Sequence, residues 1–265
     1  MSPIHYPIAH LPFLGKGSLL FDRFDANGNP TGYQHFGNVS TVEQETKDDK
    51  AELYQHINAT PSMIATALKK RTLSLKFSGT DFSADHLAIA LMADGKTELV
   101  TSATPVSGEV LASATVTKKG KYFATAVRNF DPATFSATQT GALVEGTDYI
   151  IEDSEAGIIY FPLDSAVNDA AAVTVAYTPI ASQFDQVAGA VLPFVKGKLR
   201  FVPDPTDGPK IGVEWWRCNL SPSGKLELIK DEYGNWELEA MVLDDSENHP
   251  DAPYYLLTYP PVPAP

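Results

Sequence analysis

Six histidines, one cysteine and a few paired carboxylates are the residues whose types could do chemistry in this chain. His5, His10, His35, His56, His86 and His249 include no HExxH pair, and the single Cys218 cannot build a zinc cluster. His86 follows Asp85 on an expected short helix and offers half of a metal or acid–base site. An exposed helical histidine beside a cap needs no such role. Glu237 and Glu239 stand two apart in a strand pattern, with α-carbons about 6.6 Å apart. That spacing alone permits glycosidase-type chemistry, but acidic residues on a wet strand face are far more often plain solvation. "DANGNPTG" at 25–32 offers half a calcium loop without the downstream glutamate. "GKG" at 15–17 lacks the phosphate-loop frame, and "SPSGK" at 221–225 lacks the nucleophile elbow. These residues assemble no catalytic, cofactor or metal site, so the expectation is a protein that is not an enzyme and uses no cofactor.

Composition narrows the partners. The 265 residues carry 33 acidic against 20 basic side chains, a formal charge of -13. Phosphate binding needs compensating cations, so adhesion to DNA, RNA or an anionic membrane is disfavoured, although DNA passing by without being held is not. One cysteine rules out an internal disulfide framework, and Cys218 reads as a small apolar filler in a strand. "MSPIHYPIAHLPFLGKG" has neither the basic region nor the apolar run of a signal peptide, and no window reaches membrane-span length. Synthesis and folding in a cytosol are expected.

The 20 prolines and 18 glycines suit strands and turns better than a helical bundle. "SLLFDRF" and "YQHFGNV" flank a polar turn in which Asn27-Gly28 sets the reversal and Pro30 keeps the loop out of a central strand. Charges crowd "VEQETKDDKAELYQHINAT", where no apolar stripe would anchor a helix, so an exposed loop or arm is expected. In "RTLSLKFSGTDF", Leu73, Leu75 and Phe77 alternate with Thr72, Ser74 and Lys76, a strand with one wet side. Ser83 then caps a short amphipathic helix formed by Leu87, Leu91 and the small residues between them.

From Pro105 to Pro179 the texture changes to alanine, threonine and valine. "TDYIIEDSEAGIIYFP" pairs Tyr149 and Ile151 with Ile159 and Phe161 around a turn at Glu155 to Gly157, and Val173, Val175 and Tyr177 share one side of a closing strand. A small inserted β-sandwich over 105–180 is expected, between core segments 1–104 and 181–265. Beyond it, Val213 and Trp215 alternate with Trp216, Cys218 and Leu220 in a strand that is central or covered on both sides. Trp236, Leu238, Ala240 and Val242 give "NWELEAMV" a dry face. From Asp231 onward there are eight acidic residues and no lysine or arginine.

Several stretches, in order, resemble the major tail tube protein of long, flexible-tailed bacteriophages. They are "GKGSLLFDRFDANGNPTGYQHFGNV", "EQETKDDKAELYQHI", "RTLSLKFSGTDFSADHLAIALMAD", "GKLRFVPDPTDGP" and "LSPSGKLELIKDEYGNWELEAMVLDDSENHPDAPY". The resemblance covers about 15–104 and 196–255, and the intervening segment looks like an inserted β domain of some members. It implies a mainly β, tail-tube fold: a twisted β-sandwich or partly open barrel with one flanking helix. Six copies would close into rings whose inner sheets join, and the rings would stack into a hollow conduit in the virion.

The same resemblance implies partners: further copies of the chain, a tail terminator, baseplate or distal tail proteins, a tape measure protein and tail chaperones. Genomic DNA would pass through without specific binding. Glu237 and Glu239, with Thr72, Ser74 and Lys76 as lesser members, are the candidate lumen-facing residues. An acidic wall would repel the DNA backbone and leave it free to slide. Glu43, Glu45, Asp48, Asp49 and Glu52 are the candidate inter-ring arm, within 40–58. The alternative is a surface-displayed carbohydrate- or protein-binding β-sandwich module, with Trp215, Trp216 and Tyr233 as its stacking platform.

Overall fold

A computed structural model describes residues 12–57 and 60–260; His5, His10 and residue 58 of the expected arm lie outside them. The chain opens with β1 (Gly17–Phe24), β2 (Pro30–His35), β3 (Val39–Gln55), β4 (Ser62–Gly79) and helix α1 (Ala84–Ala90). Next come β5 (Lys96–Thr101), β6 (Val106–Ala112), β7 (Lys121–Ala124), β8 (Ser136–Thr138), β9 (Ile150–Asp153), β10 (Ile158–Phe161), β11 (Val173–Tyr177) and β12 (Ser182–Val187). It closes with β13 (Val195–Pro203), β14 (Gly212–Pro222), β15 (Trp236–Val242) and β16 (Tyr255–Thr258). The fold is mainly β, with one short α-helix and an inserted β-sheet region. Two compact units result: one breaks off at Lys96 and resumes at Val187, and the other spans Thr97–Gln186.

The larger unit is one sheet ordered β2-β1-β13-β14-β15-β4-β3, with β16 on β14. Its opening hairpin turns because Asp25 accepts the backbone amides of Asn27 and Asn29, both at 2.8 Å, and Gly28 takes a φ of 86°. The Asn29 amide is the main reason the Asp25 carboxyl sits below its ordinary range. Pro30 opens the edge strand β2, where a missing amide costs no ladder bond. One face of the sheet is apolar and holds a single core of Leu19, Phe21, Leu73, Leu75, Leu199 and Leu238 with their neighbours. Phe36 sits among Phe21, Phe77 and Trp236, with ring centroids 5.3 to 5.7 Å away.

Helix α1 packs on this face over β14 and β15. Ser83 is its N-cap, accepting from the His86 amide. The small residues between Leu87 and Leu91 are the buried side of α1, Ala88 and Ala90 with Ile89, continued by Met92 and Ala93, while Leu87 and Leu91 themselves are half-buried. The helix is too short for two turns of a stripe, so the residues nearest its end meet the core.

Two further expectations change. The charged stretch after Val39 is a strand of 17 residues, not a loop, because β4 supplies its backbone partners along nearly the whole length. In β14, Trp215, Cys218 and Leu220 all face the core; they do not divide between two apolar faces. A register shift sets Leu199 opposite Trp215 but Gly197 opposite Cys218, so the bulge restores the inward direction after Trp216. Burial pushes the Cys218 thiol up to about 12.

The smaller unit has two three-stranded sheets, β7-β10-β9 and β6-β11-β8, sharing a core that includes Phe130, Ile159, Phe161, Val173, Val175 and Tyr177. β5 and β12 pair with each other outside 105–180, and Thr101 Oγ1 lies 2.7 Å from Ser182 Oγ.

Candidate assembly surface

The polar face of the large sheet gathers residues from four separate stretches of sequence. In β15, Trp236, Leu238, Ala240 and Val242 are buried while Glu237 is exposed and Glu239 half-buried on the other side. The ladders then set Glu239 opposite Lys76, and Lys76 opposite Glu43. One row over, Met241 faces Ser74, and Ser74 faces Glu45. Glu237 stands opposite Ser78. Thr72 ends the series opposite Lys47. All five residues singled out for a lumen wall thus share one face, with Lys76 held between two glutamates and Ser74 covered by its neighbours to 8% exposure.

The same face is not acidic throughout. On β13, Lys198 meets Asp22 at 3.3 Å and Arg200 meets Glu214 at 2.8 Å. Lysine and arginine side chains therefore border the carboxylates, which the sequence pattern of β15 alone did not reveal.

The five arm residues divide in two. Glu43 and Glu45 belong to the sheet face just described. Asp48, Asp49 and Glu52 lie on a ribbon of β3 and β4 alone, since β15 pairs with β4 only from Leu73 to Gly79. Arg71 grips Asp48 in a two-pronged pair at 2.8 and 2.9 Å, which holds that carboxyl below its ordinary range. Tyr54 donates to Glu52 at 2.6 Å. Bulges at Lys69 and Ile64 shift the ribbon's register twice. Leu53 and Ala65 meet on one side of the ribbon, and Tyr54 and Met63 on the other. Leu53, Ile57, Met63, Ile64 and Leu68 are each more than half exposed. An isolated two-stranded ribbon is marginal in water, and apolar groups on both sides are the mark of a docking surface.

The stacking platform expected of a binding module is not assembled. Trp215 is buried and donates its indole N–H to Gln44 at 2.9 Å, while Tyr233 is 96% exposed on the β14–β15 loop. β14 and β3 are three strand spacings apart, about 14 Å in a flat sheet, so that bond records how strongly the sheet curls over its core. Trp216 does border a groove of about 670 Å³ with Tyr33, Lys198, Arg217 and His249. One indole face is already taken by the His249 ring, 3.9 Å away and nearly parallel, with Asp245 holding His249 at 2.8 Å.

His86 does not form a hydrolytic triad. Ser83 Oγ at 2.8 Å and Asp81 Oδ2 at 3.3 Å both approach Nδ1, while Nε2 lies 2.7 Å from the His35 carbonyl. A triad requires the nucleophile and the carboxylate on opposite nitrogens. Among the described residues, no three or more His, Cys, Asp or Glu side chains converge as a metal site, and no helix is long and apolar enough to cross a membrane.

A family model described as "Protein of unknown function UCP028589" matches residues 12–254. The chain belongs to that family. The matched span takes in the ribbon, the inserted unit and β15, so the surfaces described above lie within the family's own length. No curated protein matches the chain.

Proposed function

We propose that this protein is a self-assembling structural subunit: the major tail tube protein of a long, flexible-tailed bacteriophage. Copies close into hexameric rings, the rings stack, and genomic DNA passes down the bore. The observation that carries this reading is the β3–β4 ribbon, which leaves the sheet at Leu73 and exposes apolar side chains on both sides. Such a ribbon suits a chain that is completed by other copies of itself. The shared face of Glu237, Glu239, Glu43 and Glu45 is compatible with a wall that repels phosphate, and sheet closure between copies would remove edge strands β2 and β3.

In this reading the protein does no bond chemistry and needs no cofactor. It is made in the bacterial cytoplasm and ends in the virion, alongside a terminator, a tape measure protein, tail chaperones and a baseplate or distal tail protein. Negative-stain images of concentrated protein test the proposal: hollow tubes or stacked rings support it, and dispersed single particles at every concentration contradict it.

A second reading, a binding module displayed on a surface, has one specific observation behind it. The groove beside Trp216 combines aromatic rings from Tyr33 and Trp216 with charged side chains of Lys198 and Asp245, the mixture expected of a carbohydrate or protein site. Saturable binding of an oligosaccharide by dispersed protein, lost on Trp216→Ala, would favour that reading.

A further inference from the structure

The ribbon is not the only exposed apolar element on the larger unit. The loop from Ser223 to Asn235 carries Leu228, Ile229 and Tyr233 at 84%, 99% and 96% exposure. The loop holds Lys225 and Lys230 against Glu227, Asp231 and Glu232, a net -1, with Lys230 paired to Glu227 at 3.3 Å and Glu232 at 3.8 Å. Asp231 begins the stretch of eight acidic residues without a lysine or arginine. The loop therefore offers bulky apolar side chains with a small net negative charge.

The ribbon has the opposite sign. The carboxylates Asp48, Asp49 and Glu52 lie on β3, and β4 adds Lys69, Lys70 and Arg71. Residues 47–71 hold five basic against three acidic side chains, a net +2 in a chain of -13, which leaves -15 on the remainder.

Register places the two elements at opposite ends of the same strands. Trp236 stands opposite Gly79 and Val242 opposite Leu73. The loop enters β15 at the Gly79 end of β4, whereas the ribbon runs on past Leu73 to Ser62. The β4 side of the ribbon, eleven residues from Ser62 to Thr72, reaches roughly 35 Å beyond the sheet.

We propose that the ribbon of one copy docks on the β14–β15 loop of a second copy, joining copies head to tail through complementary charge and shared apolar burial. A surface and its complement at opposite ends of one subunit repeat without self-pairing, and such contacts build filaments or stacks. The proposal rests on the self-assembly reading and names the surface the ribbon engages.

Sedimentation velocity on the intact chain, at low and at high salt, provides the test. Lys69→Glu with Lys70→Glu should weaken association about tenfold at low salt, the scale of a few exposed pairs reversed. Asp231→Lys with Glu232→Lys should do the same, and the four changes together should restore association. Salt should shrink all three effects. Met63→Cys with Ile229→Cys in one chain should give an oxidised ladder of multimers, since Cys218 is buried. Assembly indifferent to the exchanges, or a combined variant no better than either pair, overturns the ribbon–loop contact while leaving self-assembly intact. A parent chain that stays monomeric at every salt overturns both.

Discussion

Trp236 lies directly opposite Gly79 in the β15–β4 ladder, and its indole N–H donates to the Asp81 carbonyl at 2.7 Å. The pair closes the end of the sheet from which the β14–β15 loop departs. A Cβ on Gly79 would enter the indole ring, so this glycine is required by close approach, not by backbone angle. Gly79→Ala should lower unfolding stability by about 1–3 kcal/mol, the cost of forcing extra volume into a packed core. Chemical denaturation measures it, and an unchanged midpoint would show that the sheet end repacks freely.

Alkaline pH should loosen the inserted unit. Burial first, and then its hydrogen bond to Glu109 at 2.5 Å, push the Tyr177 phenol up to about 12 from an ordinary value of 10. The folded pKa is raised, so the stabilisation is complete below about pH 10 and is lost as pH climbs toward 12. Thermal unfolding followed across that window should show the decline, and Tyr177→Phe should flatten it. A variant with the parent's alkaline slope would assign the slope to another group.

The inserted unit should be removable. β5 and β12 pair with each other and Thr101 touches Ser182, so a short Gly/Ser linker can replace residues 103–180 without stretching the chain. Circular dichroism should report a folded sheet and electron microscopy the parent's assemblies. A folded product that no longer assembles would place the inserted unit in the assembly interface.

Much of the architecture was legible because strict two-residue alternation is legible. Leu73, Leu75 and Phe77, and Trp236 through Val242, declare their buried face without reference to the rest of the chain. The β14 bulge was not legible, since nothing local marks Trp216 as the residue that breaks alternation; its cause is pairing with β13. Nor could the ribbon's sign be read from Glu43 to Glu52, because three of its five cations come from β4. Lys118 makes the same point in the inserted unit. Its ammonium is fully buried and donates to the carbonyls of Val116 and Asp169, both at 2.9 Å, a satisfaction that only the folded chain supplies.

Charge on the shared face should matter to anything that slides along it. Changing Glu237 and Glu239 to lysine would set a like charge opposite Lys76 and give the proposed bore a phosphate-binding strip. Genome release from particles built with this variant should slow, most at low salt. Release at the parent rate from intact tubes would put these residues on an outer surface.

The proposed function depends on copies of this chain completing one another in stacked hollow rings. A ring-resolved cryo-electron microscopy reconstruction of the purified protein tests it most directly. The expected map has six copies per ring, Glu237 and Glu239 toward the bore, and each β3–β4 ribbon crossing to the next ring. Monodisperse single copies, or an assembly in which the ribbon touches no neighbour, would contradict it.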